Sequence, residues 1–255
     1  MPQEAFGPVN AKAYHDKGFA PVDISLTPGE FEEITRYLDN RANSDHPGNI
    51  HDAQGRLRAV HGFDEGFAPT LIERLSSIAK TLTGCRETYV YQFRANIKHP
   101  SENDSGGWQP HRDFDYWQHN DGMPSSRAVV FHVLVTDHTE NNGPLVLCNA
   151  SHKVTSANVI TTGEDNWQAN FGEDLKFTIQ EQAVSDWKDK TVLLGSAGDI
   201  YAMHPLTWHY SEPNRSKGVR TLLSIVFNDL DNQPVLPEGA AQRPEFIVEQ
   251  PRARS

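Results

Sequence analysis

The sequence predicts a mainly β protein: an eight-stranded barrel of two sheets, with α-helices on one side near the amino terminus. Helical periodicity is confined to the first third of the chain, and short strand-like segments follow without βαβ alternation. The 255 residues include 37% hydrophobic side chains and no linker-like stretch in the middle. We therefore expect a single domain over residues 1–255, with its core at about 12–230 and a polar extension over 232–255.

Caps and spacing predict the helices. Residues 11–43 indicate a helical entry, in which Thr27-Pro28-Gly-Glu30 combines an N-cap threonine, a proline at the first helical position and a glutamate three residues after the threonine. Apolar side chains then recur at helical spacing, at Phe31, Ile34, Tyr37 and Leu38. Residues 69–82 predict a second amphipathic helix. Residues 44–67 are polar and turn-rich, which predicts a long loop.

From Thr88 onward the pattern is that of strands. Between 88 and 98, aromatic and apolar residues alternate with polar ones that share the opposite face, namely Gln92, Arg94, Asn96 and Lys98. Further strands are predicted at 128–136, 143–148, 191–194, 199–203 and 220–227. Residues 155–190 look irregular, and Trp167 and Trp187 are expected to anchor them by packing.

Charge and cysteine content restrict the partners and the compartment. The formal net charge is −11, and the only basic cluster is the short tail 251–255, which argues against nucleic acid and anionic membranes as partners. No run of 18 apolar residues and no signal-like opening are present, so we expect a soluble, cytoplasmic protein. The two cysteines, Cys85 and Cys148, fit a reducing compartment.

Two polar stretches indicate a metal centre. His111-x-Asp113 would direct an imidazole and a carboxylate to one point from a strand, because residues i and i+2 share a face. The stretch 198–214 contributes His209. Two histidines and one carboxylate with an open opposite side are the ligand set of non-heme Fe(II) oxygenases. Either motif alone could be solvated strand residues, and His204 is the competing histidine.

Arg220, eleven residues after His209, distinguishes between these interpretations. It opens an apolar strand after a turn, so its side chain can lie inside the barrel, close to His209. A buried guanidinium is costly unless it meets an anion, and it grips a carboxylate with two parallel hydrogen bonds. The alternative is an exposed turn arginine, the role expected for Arg215.

This combination resembles the phytanoyl-CoA dioxygenase family of Fe(II)/2-oxoglutarate oxygenases. The motifs that carry the resemblance are the H-x-D pair, the distal histidine with Ser211 and Arg220 behind it, and the turns Asn142-Gly-Pro-Leu145 and Ala150-Ser-His-Lys153. The resemblance implies a double-stranded β-helix (jelly-roll, cupin-like) and a hydroxylase that uses Fe(II), 2-oxoglutarate and O2. Its expected small-molecule substrate is a polar metabolite with an unactivated C–H bond, an amino acid or amino-acid-like compound. The expected assembly is a monomer or homodimer.

The resemblance also implies roles for individual residues. His111, Asp113 and His209 would hold iron, and Arg220 and Ser211, with Lys98, would hold the far carboxylate of 2-oxoglutarate. Within the family, Gln92-Phe-Arg-Ala-Asn-Ile-Lys98 and His111 to Pro124 are most similar to the ectoine hydroxylases. That similarity places Gln92 and Trp117 at the substrate, and Arg94 offers a further cation to a substrate carboxylate.

Three departures from the ectoine hydroxylases indicate a different substrate. Leu222 stands where they have asparagine, and Val130 and His132 stand where they have serines. For His132, on the central strand, two interpretations are open: a side chain that faces the cavity, or a satisfied core histidine, which is the favoured one. Asp113 fills the position that is small in halogenases, which favours hydroxylation or another C–H oxidation. A non-catalytic cupin-like binding module and a zinc hydrolase are the alternatives, and neither requires Arg220.

Overall fold

The computed structural model describes residues 8–63, 66–101, 106–154, 159–161, 177–240 and 242–248. The helices are α1 (Ala11–Lys17), α2 (Pro28–Ala42), α3 (Pro69–Thr83), α4 (Asp113–Tyr116) and α5 (Glu181–Asp186). The strands are β1 (Phe19–Pro21), β2 (Asn49–His51), β3 (Leu57–His61), β4 (Thr88–Lys98), β5 (Trp108–His111), β6 (Ala128–Leu134), β7 (Leu145–Cys148), β8 (Val159–Thr161), β9 (Phe177–Ile179), β10 (Lys190–Val192), β11 (Ile200–Met203), β12 (His209–Ser211) and β13 (Arg220–Asp229). A π-helical turn (Trp117–Asp121) continues α4, and a 3₁₀ turn covers Ser151–Lys153.

Two antiparallel sheets form the barrel. The larger sheet has the order β1-β11-β6-β13-β4-β3-β2, and the smaller has the order β10-β7-β12-β5. A separate pair, β8-β9, lies outside both sheets. The predicted mainly β jelly-roll with amino-terminal helices is confirmed, because strands distant in sequence pair across both sheets.

Helices α1, α2 and α3 lie where the sequence predicted helices. The capping box of α2 forms fully: Thr27 Oγ1 accepts from the Glu30 amide at 3.2 Å, and the Glu30 carboxylate accepts from the Thr27 amide at 2.8 Å. Helix α3 packs on the outer face of the larger sheet, against β4, β6 and β13. Its leucines join strand side chains in the main core, which includes Leu71, Leu75, Leu82, Phe93, Phe131 and Leu223.

The inner face of the larger sheet meets the smaller sheet across a second core. Leu145 and Leu147 of β7 pack there with Val130, Leu222 and Val226. The same inner face carries Gln92, Arg94 and Asn96, which line an internal cavity between the sheets. The predicted alternation of apolar and polar residues along β4 therefore corresponds to an apolar outer face and a polar inner face.

The region expected to be a long loop, residues 44–67, contains a hairpin instead. Strands β2 and β3 pair antiparallel, and β3 continues the larger sheet beside β4, with His61 opposite Arg94. The Asp52 carboxylate closes the turn by accepting from the backbone amides of Gln54 and Arg56. Strands of three and five residues are too short for a clear alternation, which is why the polar composition dominated the prediction.

The region expected to be irregular, residues 155–190, is more ordered than predicted where it is described. Strands β8 and β9 and helix α5 lie within it. Trp187 packs against Trp208, with ring centroids 5.1 Å apart, which confirms it as a packing anchor. Trp167 lies outside the described residues.

The carboxy-terminal segment does not simply wrap the outside as a polar extension. Ile247 and Val248 are each only 5% exposed and belong to the second core. Arg243 is paired with buried Asp121 at the end of the π-helical turn, with the Arg243 Nε to Asp121 Oδ1 distance at 2.7 Å. Because so few apolar residues occur in this segment, its polar composition hid its contribution to the core. Among the described residues, none of the helices has the length and apolar character needed to cross a membrane.

Candidate active site

The three expected metal ligands converge between the sheets. His111 ends β5 and His209 begins β12, and the two are direct partners in the pairing of these strands. Asp113 Oδ1 lies 3.8 Å from His111 Nε2 and 3.7 Å from His209 Nε2. One ligand atom from each residue lies within 4.8 Å of the other two. Strand pairing therefore brings together residues about a hundred positions apart.

Asp113 does not lie on the strand expected from the i, i+2 spacing. It is the first residue of α4, and only Arg112 separates it from the end of β5. The strand-to-helix junction turns its carboxylate back towards His111, so the two side chains converge for a reason other than strand parity. The prediction of convergence is right and the predicted local geometry is wrong.

Both imidazoles are oriented by their own backbone. His111 Nδ1 is 2.7 Å from the Gln109 carbonyl oxygen, and His209 Nδ1 is 2.9 Å from that of Thr207. A proton on Nδ1 leaves the Nε2 lone pair directed at Asp113, which is how metal-binding histidines are commonly held. Burial, together with the nearby His209, holds the pKa of His111 well below its usual range, so the ring is neutral. The donor set fits a divalent transition metal such as Fe(II).

A second group of donors lies beside the cluster. Arg220 opens β13, is 2% exposed, and pairs in register with Lys98 of β4. Lys98 Nζ donates to Ser211 Oγ at 2.7 Å and to the Glu212 carbonyl at 2.6 Å. Burial, aided by the Arg220 charge, lowers the pKa of Lys98 to about 6. Arg220 Nε has no hydrogen-bond partner among the described residues.

Gly143 is a residue of this site that the sequence analysis did not assign. Its carbonyl accepts a hydrogen bond from the Arg220 guanidinium. Its φ is +70°, and a Cβ there would collide with the Glu212 carbonyl and the Lys98 side chain. The Asn142-Gly-Pro-Leu145 turn was the available signal, because only glycine fits a left-handed position this close to another backbone.

The expected substrate residues form one wall of a cavity of about 90 Å³. Trp117, 2% exposed, donates from Nε1 to Gln92 Oε1 at 3.1 Å. The Arg94 guanidinium stacks over the Trp108 ring, 4.5 Å from its centroid. Burial lowers the pKa of Arg94 to about 10, which leaves it charged at neutral pH. Asp113 is among the charges that act on it.

Of the nine residues proposed from sequence, eight line this cavity: Gln92, Arg94, His111, Asp113, Trp117, His209, Ser211 and Arg220. Lys98 lines a neighbouring cavity of about 230 Å³ that shares Asn96, Trp108 and Arg220 with the first. The competing histidine, His204, packs instead with Tyr14 and His152, at ring-centroid distances of 6.0 and 5.0 Å.

For His132 the structure agrees with the cavity-facing interpretation and not with the favoured one, a satisfied core histidine. It is buried and lines the cavity. Its Nδ1 lies 3.0 Å from Ser224 Oγ, but Nε2 has no hydrogen-bond partner among the described residues. Burial lowers its pKa to about 3, so the ring is neutral. Residue parity was the available signal, because His132 shares a face with Val130 on β6 and Ser224 shares one with Leu222 on β13.

A two-sheet barrel that encloses an open His–Asp–His cluster beside a buried arginine defines a site of the non-heme Fe(II) oxygenase class. Residues 14–222 match the sequence profile of the phytanoyl-CoA dioxygenase (PhyH) family. The chain therefore belongs to that family, as its motifs indicated.

Curated relatives and solved structures agree with this placement. The chain is 28% identical over 247 residues to an L-proline trans-4-hydroxylase of Streptomyces griseoviridis, covering 92% of this chain and 90% of that one. It is 31% identical over 265 residues to an ectoine dioxygenase of Halomonas elongata, covering 98% of this chain and 79% of that one. The structure of EctD from S. alaskensis with 2-oxoglutarate and 5-hydroxyectoine superposes with a TM-score of 0.78 at 20% identity, over 99% of this chain and 88% of that one.

These findings confirm the predicted class of enzyme. The protein is a dioxygenase that depends on Fe(II), 2-oxoglutarate and O2.

Proposed function

We propose that this enzyme hydroxylates an unactivated C–H bond of a small amino-acid-like metabolite. The observation that carries the proposal is the position of buried Arg220, with Lys98 and Ser211, next to the open His111–Asp113–His209 cluster. A buried guanidinium is costly unless an anion completes it. A dicarboxylate cosubstrate that binds with one end at the cluster and the other at Arg220 provides that anion.

His111, Asp113 and His209 would hold the iron. Bound iron supplies the oxidative chemistry, in which O2 and 2-oxoglutarate are consumed, a substrate C–H becomes C–OH, and succinate and CO2 are released. The protein contributes orientation: the carbonyls of Gln109 and Thr207 fix the two imidazole rings. The ligands stay aimed at one point while the opposite side remains open for the cosubstrates.

Arg220, Ser211 and Lys98 would hold the far carboxylate of 2-oxoglutarate. The guanidinium is anchored on the Gly143 carbonyl, which leaves its Nε edge available. Ser211 and Lys98 are already hydrogen-bonded to each other. This prior ordering of the three donors lowers the entropic cost of binding the anion.

Gln92, Trp117 and Arg94 would bind the substrate. The cavity of about 90 Å³ favours a small ligand, and the charged Arg94 favours one with a carboxylate. The substrates named for the two curated relatives, L-proline and ectoine, are both small and amino-acid-like. Because Leu222 and His132 occupy cavity positions where ectoine hydroxylases have asparagine and serine, we propose an amino or imino acid other than ectoine.

The alternative of a non-catalytic cupin-like binding module is less well supported, because such a module has no need for Arg220 and Lys98. A zinc hydrolase does not require Arg220 and Lys98 either. The carboxylate of Asp113, which occupies the position left small in halogenases, supports hydroxylation rather than halogenation.

We further propose one domain over residues 1–255, a cytoplasmic location and a monomeric or homodimeric state. The carboxy-terminal segment shares the second core with the barrel, which supports a single domain. Cys85 and Cys148 are both free thiols, which supports a reducing compartment.

The test is succinate formation by the purified enzyme with Fe(II), 2-oxoglutarate and O2, with L-proline, other L-amino acids or ectoine as substrate. Wild type should form succinate and a hydroxylated product in equal amounts. Asp113→Ala should reduce both to background and weaken Fe(II) binding measured by calorimetry. Asp39→Ala, on the exposed face of α2, is the matched control and should behave as wild type. Full turnover by Asp113→Ala would contradict the iron assignment.

A further inference from the structure

A row of polar side chains crosses the floor of the cavity. Ser224 of β13 is the register partner of Arg94 on β4 and, on its other side, of His132 on β6. Directly opposed residues in antiparallel strands have Cβ atoms about 5 Å apart and point to the same face. All three line the same cavity as the His–Asp–His cluster. Arg94, Ser224 and His132 therefore form a continuous row, here called the floor row.

Hydrogen bonding within the floor row determines where the imidazole proton lies. Among the described residues, His132 Nδ1 is the acceptor within reach of the Ser224 hydroxyl, at 3.0 Å. The Arg94 guanidinium on the other side of Ser224 can only donate. If Ser224 gives its single proton to Nδ1, the neutral imidazole carries its own proton on Nε2. That atom is in the cavity wall, without a partner among the described residues.

The floor row lies away from the pocket for the far carboxylate of 2-oxoglutarate. Arg220 and Ser224 are both on β13, four residues apart, which corresponds to about 13 Å along a strand. The charge of Arg94 acts instead on the Asp113 carboxylate of the metal cluster. Gln92, two residues from Arg94 on the same face, contacts Trp117. The floor row is thus on the substrate side of the cavity.

We propose that His132 is a specificity-determining residue that donates a hydrogen bond from Nε2 to a carboxylate oxygen of the substrate, while Arg94 neutralises its charge. The proposal rests on the proposed function and narrows it to substrates with a free carboxylate. It accounts for two observations together: a buried donor without a partner, and a guanidinium that faces the same space.

The test uses two substitutions that separate the two ring nitrogens. In His132→Asn the amide oxygen can take the position of Nδ1 and accept from Ser224, so that contact is kept and the cavity donor at Nε2 is lost. In His132→Gln the amide nitrogen falls near Nε2, so the cavity donor is kept. Binding is measured by calorimetry, without O2, on enzyme loaded with Fe(II) and 2-oxoglutarate. The probes are L-proline, other L-amino acids and the corresponding amides.

For whichever amino acid wild type binds best, His132→Asn should weaken binding by roughly 10- to 100-fold, as expected for a hydrogen bond to a charged group. His132→Gln should stay within a few fold of wild type. Wild type should discriminate against the amide, and His132→Asn should lose most of that discrimination. The KM for 2-oxoglutarate should be the same in all three proteins, and equal thermal unfolding midpoints would show that the fold is intact.

Three results would overturn the proposal. The first is unchanged amino-acid binding by His132→Asn, and the second is a rise confined to the KM for 2-oxoglutarate. The third is a wild-type enzyme that binds no amino acid of the panel more tightly than its amide. Failure of the proposed function looks different, because wild type would then form no succinate with any substrate.

Discussion

Arg220 shows how burial can turn a single residue into a binding site. Its guanidinium is almost inaccessible to solvent, and its pKa, lowered by burial to about 10, still leaves it charged at neutral pH. Its hydrogen bond to the Gly143 carbonyl compensates only part of that charge. Among the described residues it forms no ion pair with a carboxylate. A dicarboxylate that binds here contacts a guanidinium that folding has already removed from water, so binding does not have to desolvate it again.

At the residue scale we predict that Arg220→Gln raises the KM for 2-oxoglutarate by roughly 100-fold, in line with the loss of one partner of a buried charge pair. The KM for the amino-acid substrate should change little, because Arg94 and Trp117 are untouched. Initial rates of succinate formation at varied 2-oxoglutarate measure the effect. Arg215→Gln, an exposed arginine in the same hairpin, is the control. An unchanged KM in Arg220→Gln would refute the cosubstrate assignment.

At the scale of elements, the segment that carries Asp113 and Trp117 is held from both ends. Helix α4 begins at the metal cluster, and the π-helical turn ends at Asp121. The Asp121 carboxylate accepts hydrogen bonds from Tyr91 and Arg243. Tyr91 in turn packs edge-on against Trp117, with ring centroids 5.4 Å apart. The carboxy-terminal segment thus braces the element that positions the substrate wall.

We predict that Arg243→Ala lowers the free energy of unfolding by about 3–5 kcal/mol, because it leaves the Asp121 carboxylate buried without its charge partner. Urea denaturation followed by circular dichroism measures the loss. The double variant Asp121→Asn/Arg243→Ala should recover part of it, since the uncompensated charge is then gone. Lys12→Ala, which removes an exposed ion pair, should have almost no effect. A similarly small effect of Arg243→Ala would show that the carboxy-terminal segment is not a brace.

At the scale of the whole molecule, several histidines are buried in the neutral form. Burial lowers the pKa of His138 to about 3 and that of His204 to about 4. Both values lie below the unfolded value near 6.5, so the unfolded chain binds more protons between about pH 6.5 and pH 4. Above pH 6.5 these histidines do not reduce the free energy of unfolding. Below pH 6.5 the free energy of unfolding decreases as the pH falls towards 4.

We therefore predict that, as the pH falls from 6 to 5, each of these two histidines lowers the free energy of unfolding by about 1.4 kcal/mol. Denaturation of the metal-free protein across this range measures the slope. His204→Asn should make the slope shallower, because one group no longer binds a proton on unfolding. A slope that is unaffected by this substitution would contradict a neutral, half-buried His204.

Much of the fold and site follows from local patterns. Residues close in sequence are enough to recognise the capping box of α2, the alternation of β4 and the residue types of the metal cluster. The predictions that were wrong concern features without such a local signal. The β2–β3 hairpin is too short to alternate, and Asp113 reaches the cluster through a strand-to-helix junction rather than along a strand. Ile247 and Val248 are two apolar residues in a polar segment.

The sequence by itself determined the chemistry: two imidazoles, a carboxylate and an arginine at spacings that suit one metal and one dicarboxylate. Only the tertiary structure decided which of the other polar residues face that chemistry. Ser224 joins Arg94 to His132 because β13 lies between β4 and β6, and Arg243 meets Asp121 across more than a hundred residues of chain. Periodicity reports which residues share a face, whereas the pairing of distant strands decides what that face meets.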